Sequence, residues 1–297
     1  MPQNCCINTG FWNVDHFGDT QCVTKLEHNI KSFLDYSFLS IGGWVDVVPP
    51  GSFAELKCVV CPGYTCGQVW QTSRTNLIWE TVLYTDKDGN THSPIVPAFT
   101  PAPDSINYEA GQIIYGGALA EDAAVTGTFS ARCVNVILGG AQPWWEEFDK
   151  GSFDESIWSI DKQAGCVIIG KNRVQLPAIV INGASGSIRP HGLGKCRMIK
   201  TVNVDLHVLA ETKMERDKLL GILLSDAGTC KTLFDPDIAP CVYDCNGELQ
   251  NPITYPELVE DYCWRGARLN SAEDFGHSFI ECGLYEGIAR HEYEVYL

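Results

Sequence analysis

Apolar residues recur along this chain with two different periods, and the change of period divides it into predictable pieces. Between Thr20 and Ser40, Val23, Leu26, Ile30, Phe33, Leu34 and Phe38 return every three or four residues. Lys25, Glu27, His28, Lys31 and Asp35 lie among them, the pattern of a helix with one buried face. Gly42-Gly43 stops it, and Trp44 to Val48 reads as a short strand closed by Pro49-Pro50. Asn76 to Val96 predicts a hairpin, with a β-rich arm from Leu77 to Thr85 and a turn over Asp86 to Asn90. Phe99 to Asp104 reads as a Pro-rich connector, followed by strands over Gln112 to Tyr115 and Val125 to Leu138.

The second half repeats the alternation more regularly. Cys166 to Ile169 and Pro177 to Ile181 are short buried strands by composition, and a Gly/Ser-rich loop is expected from Asn182 to Gly194. Val202, Val204, Leu206 and Val208 alternate with Asn203, Asp205 and His207, predicting a half-buried strand. Thr212 and Glu215 have capping-box spacing and open a helix over Met214 to Leu224. A further helix is predicted over Pro256 to Arg265, and alternation in the last residues predicts a terminal strand. The expected class is therefore α+β and β-rich. It comprises two modules, 1–150 and 151–297, each with a mainly antiparallel sheet and a flanking helix.

Charge and cysteine content narrow the function. Lys and Arg number 21 against 37 Asp and Glu, a formal charge of −16, which opposes nucleic-acid binding through phosphate neutralisation. Such a charge suits either plain solubility or a wall past which DNA slides. No stretch approaches the roughly 20 apolar residues of a membrane span, and Met1 to Asp15 lack a basic and an apolar leader pattern. No membrane partner is expected, and a cytoplasmic origin is. Yet the chain carries 14 cysteines, a load more typical of oxidised proteins. Assembly in a reducing cytoplasm followed by a working life outside the cell reconciles the two.

Motifs of chemistry are incomplete. Cys58, Cys61 and Cys66 form the closest approach to a metal cluster, with Cys241 and Cys245 as a distant second pair; disulfides or buried thiols compete with zinc there. Gly183 to Ser187 resembles a nucleophile elbow but ends in Ser where the motif needs Gly. Asp86 to Asn90 opens like a calcium loop, but Pro97 stands where its glutamate belongs. His207 is expected to be exposed or hydrogen-bonded on its strand. No catalytic constellation, metal or cofactor is predicted. Trp70, Trp79, Trp144 and Trp145 are candidate core or interface aromatics, with a sugar site as the competing reading.

Several phrases resemble virion structural proteins of tailed bacteriophages. They are Phe33 to Val45, Gly67 to Trp70 with Arg74 to Glu80, and Ser105 to Tyr115. Leu176 to Val180 and Val202 to Leu224 are similar to neck and tail-terminator proteins. The resemblance implies a non-enzymatic subunit of a six-fold ring at the head–tail junction. It would contact copies of itself and neighbouring neck, tail-tube, sheath or collar proteins, with DNA only as passing cargo. The protein would be assembled in the host cytoplasm and work in the particle. Cys5, Cys6, Cys58, Cys61, Cys66, Cys241 and Cys245 are candidates for disulfide reinforcement after lysis, with Cys5 and Cys6 able to reach a neighbour. The alternatives are a peripheral collar, fibre-attachment or host-binding module, and a zinc-binding enzyme.

Overall fold

A computed structural model of the chain describes residues 22–41, 43–48, 54–59, 61, 63–86, 88–120, 123–141, 145, 158–161, 166–169, 172–190, 198–280 and 283–296. It is an α+β fold dominated by antiparallel sheet, with three α-helices among the described residues. The helical periodicity near the start becomes α1 (Cys22–Ser40), which buries Leu26, Ile30, Leu34 and Phe38. Two groups of strands follow, and they differ in length.

The first group is short. β1 (Val45–Val48), β2 (Ala54–Glu55) and β7 (Ala98–Thr100) pair with β10 (Thr126–Arg132). A second sheet has the order β3 (Lys57–Val59), β4 (Val69–Gln71), β9 (Gln112–Ile114), β8 (Ser105–Asn107), and β5 (Tyr84–Thr85) with β6 (Thr91–His92) forms a two-stranded ribbon. Trp70, Leu77, Phe99, Ile113, Val125 and Phe129 meet in the core that the two larger sheets share. Phe99 stacks on Phe129 at 6.2 Å, directly over Gly127, where a Cβ would meet the Phe99 ring at 2.1 Å.

The expected hairpin is present only at its tip. Asp86 Oδ1 accepts from the backbone N–H groups of Asp88 and Asn90, which makes the loop a turn. Leu77 and Ile78 are buried without belonging to a named strand, since their N–H groups donate to Tyr108 O and Ser130 O on different neighbours. The Pro-rich connector also departs from expectation, because its first residues form β7. The single strand predicted over Val125 to Leu138 is two, β10 and β11 (Asn135–Leu138). Between them the chain leaves one sheet for another: Cys133 N–H donates to Trp44 O and Asn135 N–H to Pro177 O.

The second group is long. After a meander of β12 (Trp158–Asp161), β13 (Cys166–Ile169) and β14 (Asn172–Gln175), a six-stranded sheet is built. Its order is β11, β15 (Ala178–Pro190), β16 (Met198–Ala210), β19 (Leu284–Tyr296), β18 (Cys263–Ile280), β17 (Cys230–Phe234). Only β11 with β15 is parallel. α2 (Lys213–Leu224) begins at Thr212, whose Oγ1 accepts from Glu215 N–H. α3 (Tyr255–Asp261) begins at Thr254, capped reciprocally with Glu257, and ends sooner than predicted because β18 starts at Cys263.

Alternation decides which face is covered. Val202, Val204, Leu206 and Val208 lie with Ile179, Ile181, Ala289 and Val295 under α1 and α2. Gly287 lets α2 come close, since a Cβ there would meet Leu220 at 2.5 Å. The opposite face carries a small apolar cluster of Trp145, Val174, Leu176, Val180 and Leu209 at one end. Elsewhere that face carries the pair Asp205 and Arg290, joined by two 2.7 Å hydrogen bonds, with the Phe275 ring 3.6 Å from the Arg290 guanidinium.

Candidate functional site

Two surface features stand out, a cleft and a pair of strand edges. The cleft encloses about 1070 Å³ between α1, the start of β11 and the segment 235–255. Its lysines and Arg132 pair with carboxylates of the same chain, and Glu80 keeps one buried carboxylate oxygen without a hydrogen-bond partner. Lys25 reaches Asp235 at 2.5 Å and Asp237 at 2.7 Å; although burial opposes its charge, these carboxylates hold its pKa above the ordinary lysine value. Lys31 is held in the same way by Asp35, 2.8 Å away, with Glu109 nearby. Arg132 is buried and paired with buried Glu80. Burial pushes Tyr243 up to about 12, and its ring stacks on Tyr108 at 6.3 Å. Burial and the charge of Lys31 lower the His28 pKa.

This arrangement joins the two strand groups. Tyr108 N–H donates to Gly247 O, Asn107 bridges to Glu248, and Gly247 has a positive φ with no room for a Cβ beside Asn107. Asn29 on α1 pins β17 from the other side, its side chain donating to Phe234 O at 2.9 Å and accepting from Phe234 N–H at 2.8 Å. Among the described residues no group of three or more His, Cys, Asp or Glu side chains could hold a metal ion. The cleft is a polar seam whose ion pairs are internal.

The edges are different. β11 covers β15 only from Ala178 to Ile181, and β17 covers β18 only from Cys263 to Arg268. At the bulge after Gly183 the edge is still closed by α1: Glu27 Oε1 accepts from Gly183 N–H at 2.5 Å, and a Cβ on Gly183 would clash with Val23 and Glu27. Beyond it, Gly186 to Pro190 pairs with β16 on one side and with no strand on the other among the described residues. On β18, Ser271 to Ile280 is open in the same sense. Each open run therefore presents backbone N–H and C=O groups along one side without a ladder partner.

The residues singled out in the sequence are dispersed. Cys5, Cys6 and Trp144 lie outside the described residues. Cys58 and Cys66 are exposed near β3 and β4, while Cys61 is half-buried, its sulfur 3.7 Å from Gln112 Nε2. Cys241 and Cys245 are exposed in the segment that borders the cleft. Cys230 and Cys263 are exposed as well. Trp70 and Trp145 are buried inside the chain, the core alternative of the two readings. Trp70 Nε1 donates to Gly67 O, and Trp145 packs edge-on against His207 at 4.7 Å. Trp79 is half-buried on the cleft wall. His207 is buried and hydrogen-bonded to Glu286 at 3.0 Å.

The edges were missed in the sequence because they follow no hydrophobic period. The Gly/Ser-rich run expected as a loop continues as strand to Pro190 along the β16 ladder, with Gly186, Ser187 and Arg189 exposed. Compared with family models and with curated proteins, the chain gives no significant match.

Proposed function

We propose that this chain is a structural subunit of a tailed-phage particle that assembles with copies of itself into a ring at the head–tail junction. The phage assignment draws on the sequence phrases set out above. The ring draws on one structural observation: a single sheet with strand runs on both of its borders that are open among the described residues. A contact between two different edges of one subunit is head-to-tail, and head-to-tail contacts close into rings when the rotation allows. The role is mechanical. The cleft's lysines and Arg132 pair internally, while the net charge of −16 disfavours adhesion of passing DNA.

Native mass spectrometry with electron microscopy of the purified chain tests this. A closed ring with a central opening, six-fold in the resemblance, is the expected result. A monomer at every concentration reached would overturn it. Antibody labelling on intact particles separates the junction from a peripheral collar or host-binding position, since a collar protein would label and a buried ring would not. Exposed thiols at Cys58, Cys230, Cys241, Cys245 and Cys263 are available for reinforcement after release from the cell. Denaturing gels with and without reductant should show a slower species in the unreduced lane; identical mobility removes the interchain disulfides.

A further inference from the structure

We infer that the cleft binds a small organic ammonium ion, seated at the end lined by Trp79, Glu80, Glu109 and Tyr243. This goes beyond the ring reading and does not depend on it. Three observations carry it.

The first is a deficit of positive charge. Lys31, Asp35, Glu80, Glu109 and Arg132 line this end of the cleft, three carboxylates against two cations. Lys31 takes Asp35 and Arg132 takes Glu80. Glu109 is exposed and has no ion pair among the described residues. Lys25, further along α1, is already held by Asp235 and Asp237. His28 cannot supply the charge near neutral pH, because burial and Lys31 lower its pKa. A bound anion would find no free cation here, whereas a bound cation finds a carboxylate left over.

The second is the state of Glu80. Its side chain is 6% exposed, and its Oε1 accepts from the Arg132 guanidinium. Its Oε2 is buried and accepts no hydrogen bond. A carboxylate oxygen taken from water without a donor is costly. A cation seated beside Glu80 lowers that cost through the low local dielectric, and it breaks no existing pair. The cleft wall holds one more buried orphan, Gln175 Nε2, while Gln175 Oε1 accepts from Thr75 N–H and Oγ1. Gln175 is neutral, so the choice of ligand charge falls to Glu80 and Glu109.

The third is the wall. Trp79 and Tyr243 both line the cleft, with the indole N–H beside the Tyr243 hydroxyl, and the Tyr108 ring stacks behind Tyr243. Asp35, Glu109 and Arg132 all act electrostatically on Tyr243, which places the aromatic pair at the same end as the carboxylates. Indole and phenol rings attract cations through their π faces. A bare metal ion is the poorer match, since it needs several converging ligands and no such group occurs among the described residues. Aromatic surface beside an excess carboxylate suits an alkylammonium ion.

Calorimetry of the full chain at two temperatures tests this with three four-carbon probes: 1,4-diaminobutane, 1,4-butanediol and succinate. Expected is saturable binding of the diamine, binding of the diol weaker by about tenfold or more, and none of succinate. Glu80→Gln should weaken the diamine about tenfold, and Glu109→Gln about fivefold. Glu109 is exposed and only its backbone carbonyl is hydrogen-bonded, so Glu109→Gln decides the matter if Glu80→Gln does not fold. Asp205→Asn removes the same charge from a residue that does not line the cleft, and should leave the affinity unchanged. No saturable diamine binding, equal binding of the diol, or a diamine affinity that Glu109→Gln leaves as it is overturns the site. None of these outcomes bears on the ring, which the oligomeric state decides.

Discussion

The two strand groups solve the same problem by opposite means. In the second, strands of 13 to 18 residues stack one face under two helices, so Leu206 and its neighbours are buried by a repeating pattern. In the first, most strands have two to four residues, and position is set by individual polar contacts. Arg74 Nε donates to Asp46 at 2.7 Å, Thr75 N–H and Oγ1 donate to Gln175, and Thr72 Oγ1 donates to Gly111 O. A long sheet distributes its stabilisation over many equivalent contacts, whereas a patchwork of short strands depends on a few non-equivalent ones. Single substitutions should therefore act differently in the two.

The largest effect is expected at the seam. Arg132→Leu leaves the buried Glu80 carboxylate without its cation, a loss of about 3–5 kcal/mol. Hydrogen exchange should then show the first strand group opening before the second. Simultaneous opening of both would mean that the groups are one cooperative unit. Leu206→Ala, at a fully buried position, should cost about 2–5 kcal/mol in denaturant unfolding, with the second sheet opening first.

A third effect depends on pH. Burial lowers His291 to about 4 from its ordinary 6.5, and its Nε2 donates to Leu223 O at 3.1 Å. Its folded pKa lies below the unfolded one, so the unfolded chain takes up the proton first. The contribution is full above pH 6.5 and is lost as pH falls towards 4. By linkage it amounts to about 3 kcal/mol. His291→Gln should flatten that part of the stability profile; an unchanged slope would mean that His291 does not titrate as described. The smallest effect belongs to the face opposite the helices, where Asp205→Asn should change stability by less than about 1 kcal/mol despite two good hydrogen bonds to Arg290. A larger loss would show that this face is a structural element in its own right.

The same contrast explains what could be read from the sequence. α1, β16, α2 and β19 announce themselves because one face of each meets a continuous apolar layer. The end of β15 does not, since Gly186, Ser187 and Arg189 are exposed and the β16 ladder holds them in line, with Arg189 also paired to Glu294. β18 is hidden for a related reason: Ala267 and Leu269 enter the core, but Glu273, Asp274, Phe275 and His277 are exposed. Leu77 and Ile78 mislead in the other direction. They are fully buried and β-like in composition, yet each bonds to a different neighbour and no ladder forms. The disulfide and tryptophan candidates could be named from residue type, but type alone does not separate buried Trp70 from half-buried Trp79.

The passage at Cys133 and Val134 has a consequence for load. β10 ends in the first group and β11 begins in the second with only two residues between them. β11 lies parallel to β15 over four matched pairs, Asn135 with Ala178 through Leu138 with Ile181. A pull that separates the two groups along this strand would not peel those pairs apart in turn. It would load them together in shear, and the joint would yield only when all four gave way at once.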